Sequence, residues 1–137
     1  MFWITLNPLC GRETLWRVIN NKSQVKADGT LKPGFFRNKN GLSCDLALYT
    51  TRKRCLRGMK MKPWPVYSGL VGFDVESVRQ EGSDVKHKPL REKYPDGKHV
   101  NYAHCQFTEN LTNGESNRLI RIASIVVKPD LKRLLAK

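Results

Sequence analysis

The apolar residues of this chain come in short runs broken by turn residues, and that spacing limits the fold before anything else does. Leu15-Trp16-Arg17-Val18-Ile19 is β-rich and short, and reads as a strand or as the end of a helix begun at Glu13. Leu42 to Tyr49 alternates, with Leu42, Cys44, Leu46 and Leu48 on one face, as a half-buried strand would. Leu70 to Val75 reads as a buried strand, Tyr102 to Phe107 alternates again, and Ile125-Val126-Val127 is a terminal strand or a helix end. Between these lie Asp28-Gly29, Lys32-Pro33-Gly34, Asn38 to Gly41 and Lys62-Pro63-Trp64-Pro65, all turn or break signals. Helical stretches are short too. Thr50 or Thr51 can cap a helix through Leu56, Asp74 to Glu81 is one or two turns closed by Gly82, and Ser116 opens a helix to about Ser124. Pro129-Asp130 can cap a last helix to Leu135. Asp84 to Leu90 is a weak strand candidate and Glu92 to His99 a polar loop. Strands and helices mix without regular βαβ alternation. The expected fold is therefore α+β, a single domain over 1–137 with a mixed or antiparallel sheet and two or three short helices. Phe35 and Phe36, just after the second turn, are expected core anchors.

Charge restricts the partners. The chain has 25 Lys and Arg against 12 Asp and Glu, formally +13. An excess of this size repels itself in a compact fold and points to a polyanion, nucleic acid first. An anionic membrane surface would need an amphipathic helix with bulky apolar residues, and none is evident. The charge is concentrated: residues 52–62 carry six basic groups and no acid, whereas 63–100 carry six of each sign. Arg52, Lys53, Arg54, Arg57, Lys60 and Lys62 are therefore the expected phosphate contacts, at a helix start that itself favours anions. Trp64, with Tyr67 beyond it, is the expected stacking residue. Basic side chains beside aromatics suit RNA or single-stranded DNA better than a duplex groove. A protein partner in a larger nucleoprotein assembly fits the same charge.

No run approaches the roughly 18 apolar residues of a membrane span, and Asn7-Pro8 stops the opening apolar stretch. The expected location is the cytoplasm. Cys10, Cys44, Cys55 and Cys105 form no C-x-x-C pair, so free thiols are expected rather than a zinc knuckle or disulfides. No metal site is expected, because the carboxylates and histidines are scattered. No cofactor is expected either. Among His87, His99 and His104, the last sits in a strand pattern and is the candidate acid or base. Cys105 beside it falls on the opposite strand face, so those two make a poor dyad.

Two resemblances add to this. Asp28-Gly29, Phe35 or Phe36, Leu42-Ser43-Cys44-Asp45, Val78-Arg79-x-x-Gly82 and Asn101-x-x-His104 stand in an order that resembles a set of small bacterial and phage-borne proteins with no assigned activity. The resemblance covers about residues 15–125 and singles out Arg17, Ser43, Asp45, Arg79, Asn101 and His104 as the polar positions of interest. Trp16-Arg17-Val18 followed by Leu48-Tyr49-Thr50-Thr51 resembles the opening of RES-type toxins with an ADP-ribosyltransferase-like fold. That likeness implies NAD held by Arg17 and Tyr49, although the helix after Tyr49 is basic where the family has a Glu. The alternative to nucleic-acid binding is thus a small enzyme, a nuclease or an NAD-consuming toxin, built on His104, Arg17, Tyr49 and Arg79.

Overall fold

The computed structural model describes residues 8–37, 42–57, 68–93 and 100–136. Eight strands are present among them: β1 Thr14–Ile19, β2 Ser43–Leu46, β3 Gly69–Asp74, β4 Val85–His87, β5 Leu90–Lys93, β6 Val100–Asn101, β7 His104–Phe107 and β8 Ser124–Val127. Six form one sheet in the order β4-β7-β2-β1-β3-β8, and β5 with β6 makes a separate two-stranded ribbon. Every pairing is antiparallel. Four short helices accompany them: α1 Arg52–Arg57, α2 Val75–Gln80, α3 Asn113–Ile122 and α4 Leu131–Leu135. The fold is α+β with an antiparallel sheet.

The alternation along each strand sorts side chains onto two unlike faces. On the first face Leu15, Ile19, Cys44, Leu46, Val71, Phe73, Cys105 and Phe107 are buried in the main core. Phe35 and Phe36 come down on them from a 3-10 turn at Pro33–Phe36, and both are fully buried. Phe36 meets Phe35, Phe73 and Phe107 edge to face, at centroid distances of 4.9, 5.3 and 6.4 Å, the arrangement the ring quadrupoles favour. Val75 and Val78 of α2, Leu119 of α3 and Leu134 of α4 close this core.

Helix ends follow local chemistry. The Asp74 carboxylate accepts from Ser77 N at 2.7 Å and starts α2, and Gly82 at φ 94° follows its end. α4 begins at Asp130, whose carboxylate accepts from Arg133 N. α3 begins three residues before the expected Ser116. Thr112 and Glu115 form a capping box, each side chain accepting from the other's backbone N–H at 3.2 and 3.0 Å. Ser116 is instead buried in the helix, its hydroxyl donating to the Phe36 carbonyl.

Three further expectations are corrected. The strand expected over Leu42 to Tyr49 ends at Leu46, because Ala47–Tyr49 turns into a 3-10 helix. Leu48 accordingly leaves the apolar face and stands 69% exposed. The expected Tyr102–Phe107 strand begins only at His104, after a turn at 102–103. The polar loop expected from Glu92 starts later, since Glu92 and Lys93 belong to β5. The loop at 38–41 and the break at 62–65 lie outside the described residues.

Candidate functional site

The second face of the sheet is polar where the first is aromatic. β1 presents Trp16 and Val18 there, β2 presents Ser43 and Asp45, β3 presents Leu70 and Gly72, and β7 presents His104 and Gln106. α1 lies against part of this face. Cys55 and Leu56 on its buried side pack with Leu70, Trp16, Val18 and Val127 into a small second core. The Trp16 indole sits over Gly72, in ordinary contact with where a Cβ would stand, and the missing side chain there makes room for Val126, whose Cγ2 would lie only 3.0 Å from that Cβ.

Beside α1 the face opens into a cavity of about 270 Å³. Its origin lies in strand pairing. β1 and β2 are in register at only two positions, Leu15 with Leu46 and Trp16 with Asp45. No further β1–β2 pair occurs among the described residues, and Arg17 comes next along β1. Its Nε donates to the Phe35 carbonyl at 2.9 Å and its Nη1 to the Ser43 carbonyl at 2.7 Å, with the guanidinium 5.4 Å above the Phe35 ring. Burial lowers the Arg17 pKa from its ordinary value, and a small effect of Cys44 opposes it.

The groups that line the cavity hold one another in fixed positions. The Asp45 carboxylate accepts from Asn101 Nδ2 at 3.1 Å and from the Cys55 thiol at 3.2 Å. Asn101 is itself oriented, its Oδ1 accepting from Ala103 N at 3.2 Å. His104 is the Cα partner of Asp45 across β2 and β7. Its Nδ1 lies 2.7 Å from the Lys88 carbonyl. A carbonyl can only accept, so Nδ1 carries the proton, and in the neutral ring Nε2 keeps its lone pair. Nε2 has no hydrogen-bond partner among the described residues. Cys55 is no nucleophile: burial first, and the Asp45 charge second, push its thiol pKa far above the ordinary range.

The expected site residues separate into groups. Arg17, Ser43, Asp45, Asn101 and His104, five of the six polar positions that the first resemblance singles out, all line this cavity. Arg79, the sixth, lies elsewhere. Its Nε pairs with Asp84 at 2.9 Å and its Nη2 donates to the Leu9 carbonyl at 2.7 Å, tying the segment before β1 to α2. Tyr49 is also apart from the cavity. It packs on the first core, its ring 5.3 Å from that of His87, whose Nε2 lies 2.7 Å from the Tyr102 carbonyl. Thus Arg17 shares a cavity with His104, and Tyr49 and Arg79 do not.

In the basic cluster Arg52, Lys53 and Arg54 are exposed on α1, which starts where Thr51 Oγ1 accepts from Arg54 N at 3.2 Å. Arg57 ends that helix. Lys60, Lys62 and Trp64 lie outside the described residues, as do Tyr67 and His99. Trp16, Asn20, Gln24 and Cys55 also line the cavity, and Trp16, Asn20 and Gln24 are not among the residues expected there from the sequence. Only Trp16 carried a signal, since it alternates with the core residues Leu15 and Ile19 and so faces the other side of β1. Cys10, Cys44, Cys55 and Cys105 are free thiols. No group of three or more metal-ligating side chains occurs among the described residues, and no helix among them is long and apolar enough to cross a membrane. No protein-family model, curated protein or solved structure matches the chain.

Proposed function

We propose that this protein binds nucleic acid, single-stranded or structured RNA ahead of DNA, across the second face of its sheet. The observation that carries the reading is the placement of α1. Arg52, Lys53 and Arg54 are exposed on a helix without an acidic residue, while Cys55 of the same helix lines the polar cavity. Phosphates would run along the three cations and give affinity without sequence choice. An unpaired base would enter the cavity, where Trp16 offers a ring to stack on and Asn20, Asp45 and Asn101 offer hydrogen-bonding groups. Recognition of this kind suits a base free of its duplex, and the net charge of +13 favours the encounter. The cytoplasm suits both the ligand and the free thiols.

The test is fluorescence anisotropy with labelled single-stranded RNA, single-stranded DNA and duplex DNA over a salt series. A variant carrying Arg52→Gln, Lys53→Gln and Arg54→Gln is measured alongside. Single-strand binding loses about 0.7 in the log–log salt slope per phosphate contact removed, so the variant should bind more weakly with a slope flatter by about 2. Unchanged affinity and slope would remove α1 from the interface.

A further inference from the structure

The cavity has more chemistry than binding needs. Its lining includes an imidazole with one ring nitrogen committed and the other uncommitted, a carboxylate on the facing strand, and Arg17. What it lacks, among the described residues, is an activated nucleophile of the protein's own. The Cys55 thiol is held protonated and donates to Asp45. Ser43 lies on the same strand face as Asp45, but its hydroxyl makes no hydrogen bond to His104 that would activate it. A site with a base and no nucleophile suits a substrate that supplies its own, and an RNA strand does so at every ribose, where the 2′-hydroxyl adjoins the phosphodiester.

We infer that this cavity cleaves single-stranded RNA by internal transesterification, with His104 as the catalytic base. The inference rests on the nucleic-acid reading above and assigns a reaction to the same face. His104 Nε2 takes the proton of a ribose 2′-hydroxyl. The bond from that oxygen to the adjacent phosphorus forms as the bond from phosphorus to the 5′-oxygen breaks. The departing 5′-oxygen takes a proton from water. The products are a 2′,3′-cyclic phosphate and a 5′-hydroxyl, and the imidazolium returns its proton to solvent. No oxidant, reductant or further reactant is required. The Lys88 carbonyl holds the imidazole in the tautomer that leaves Nε2 basic. Asp45, the register partner of His104 across β2 and β7, places a carboxylate on the same face. Arg17 places positive charge near the phosphate as its own charge redistributes.

The experiment incubates the full chain with end-labelled single-stranded RNA, with the same sequence as 2′-O-methyl RNA and with single-stranded DNA, all in a chelator. Bound fraction and product ends are both read. The expected result is RNA cut to fragments ending in 2′,3′-cyclic phosphate, with the other two strands bound and intact. His104→Asn keeps an amide donor for the Lys88 carbonyl and loses the basic nitrogen. It should cut at least about 100-fold more slowly, since general-base catalysis contributes about 10²–10⁴-fold, with affinity unchanged within about twofold. A His104→Ala variant purified in parallel exposes any contaminating nuclease, because cleavage that persists in both variants would overturn the assignment. RNA that is bound and intact would also overturn it and leave the binding reading standing. Absence of binding to all three strands, with no cleavage, would overturn both.

Discussion

The two faces of the sheet are made by the same strands and differ in nearly every physical respect. The first face joins Phe35, Phe36, Phe73 and Phe107 to helices α2, α3 and α4 in one dry core. The second has a small apolar patch under α1 and, next to it, Asp45, Asn101 and His104 around a cavity. Polar groups on the first face are few and committed: Arg17 bridges two carbonyls, and Ser116 donates to another. On the second face the Asp45 carboxylate accepts two hydrogen bonds and the His104 ring makes one, and both keep acceptor capacity over. A core gains stability from burial, whereas a site keeps polar groups where a ligand can use them. The contrast sets the second face apart from the core as the candidate site.

The sharpest way to break that contrast is to exchange the expected costs. Phe36→Ala should lower the unfolding free energy by about 3–5 kcal/mol, through lost burial and the cavity left behind. Asp45→Asn, on the other face of neighbouring β2, keeps most of the shape and should cost under about 1 kcal/mol. Urea denaturation of the two variants compares them directly. If Asp45→Asn proves as damaging as Phe36→Ala, the second face is structural and the division fails.

Arg17 is on the first face and also lines the cavity, and it gives an intermediate effect. Arg17→Met fills similar space but leaves the Phe35 and Ser43 carbonyls without their donor, a loss of about 1–3 kcal/mol. Because Arg17 also lines the cavity, the same variant should weaken RNA binding in the anisotropy assay. Loss of stability with unchanged binding would place Arg17 wholly with the core.

More of the first face than of the second was legible in the sequence. The β-rich run Leu15 to Ile19 marks β1, but its buried side does not follow from a period of two, because Arg17 shares the side of Leu15 and Ile19 while the apolar Trp16 and Val18 lie opposite. Asp74, Gly82 and Asp130 mark helix ends by chemistry confined to a few residues, and the structure has them there. Thr112-x-x-Glu115 is equally local, and its capping box shows why α3 starts earlier than Ser116. The 3-10 turn at Ala47–Tyr49 was not legible, because Leu48 continues the alternation in sequence while the backbone departs from it. The cavity depends on contacts far apart in the chain: the short pairing of β1 with β2, the return of α1 over the sheet, and Asn101 reaching Asp45 across 56 positions. His104 could be named as a candidate from its strand pattern. Its tautomer could not, because the Lys88 carbonyl that sets it is a tertiary neighbour 16 positions away.

The claim that the second face is the one that meets nucleic acid is tested most directly by photo-crosslinking. Single-stranded RNA carrying 4-thiouridine is irradiated with the full chain, and crosslinked peptides are identified by mass spectrometry. The account predicts crosslinks in the peptide containing Trp16 and in those spanning 52–57, reduced when Arg52, Lys53 and Arg54 are neutralised. Crosslinks confined to α3 and α4, which cover the first face, would contradict it.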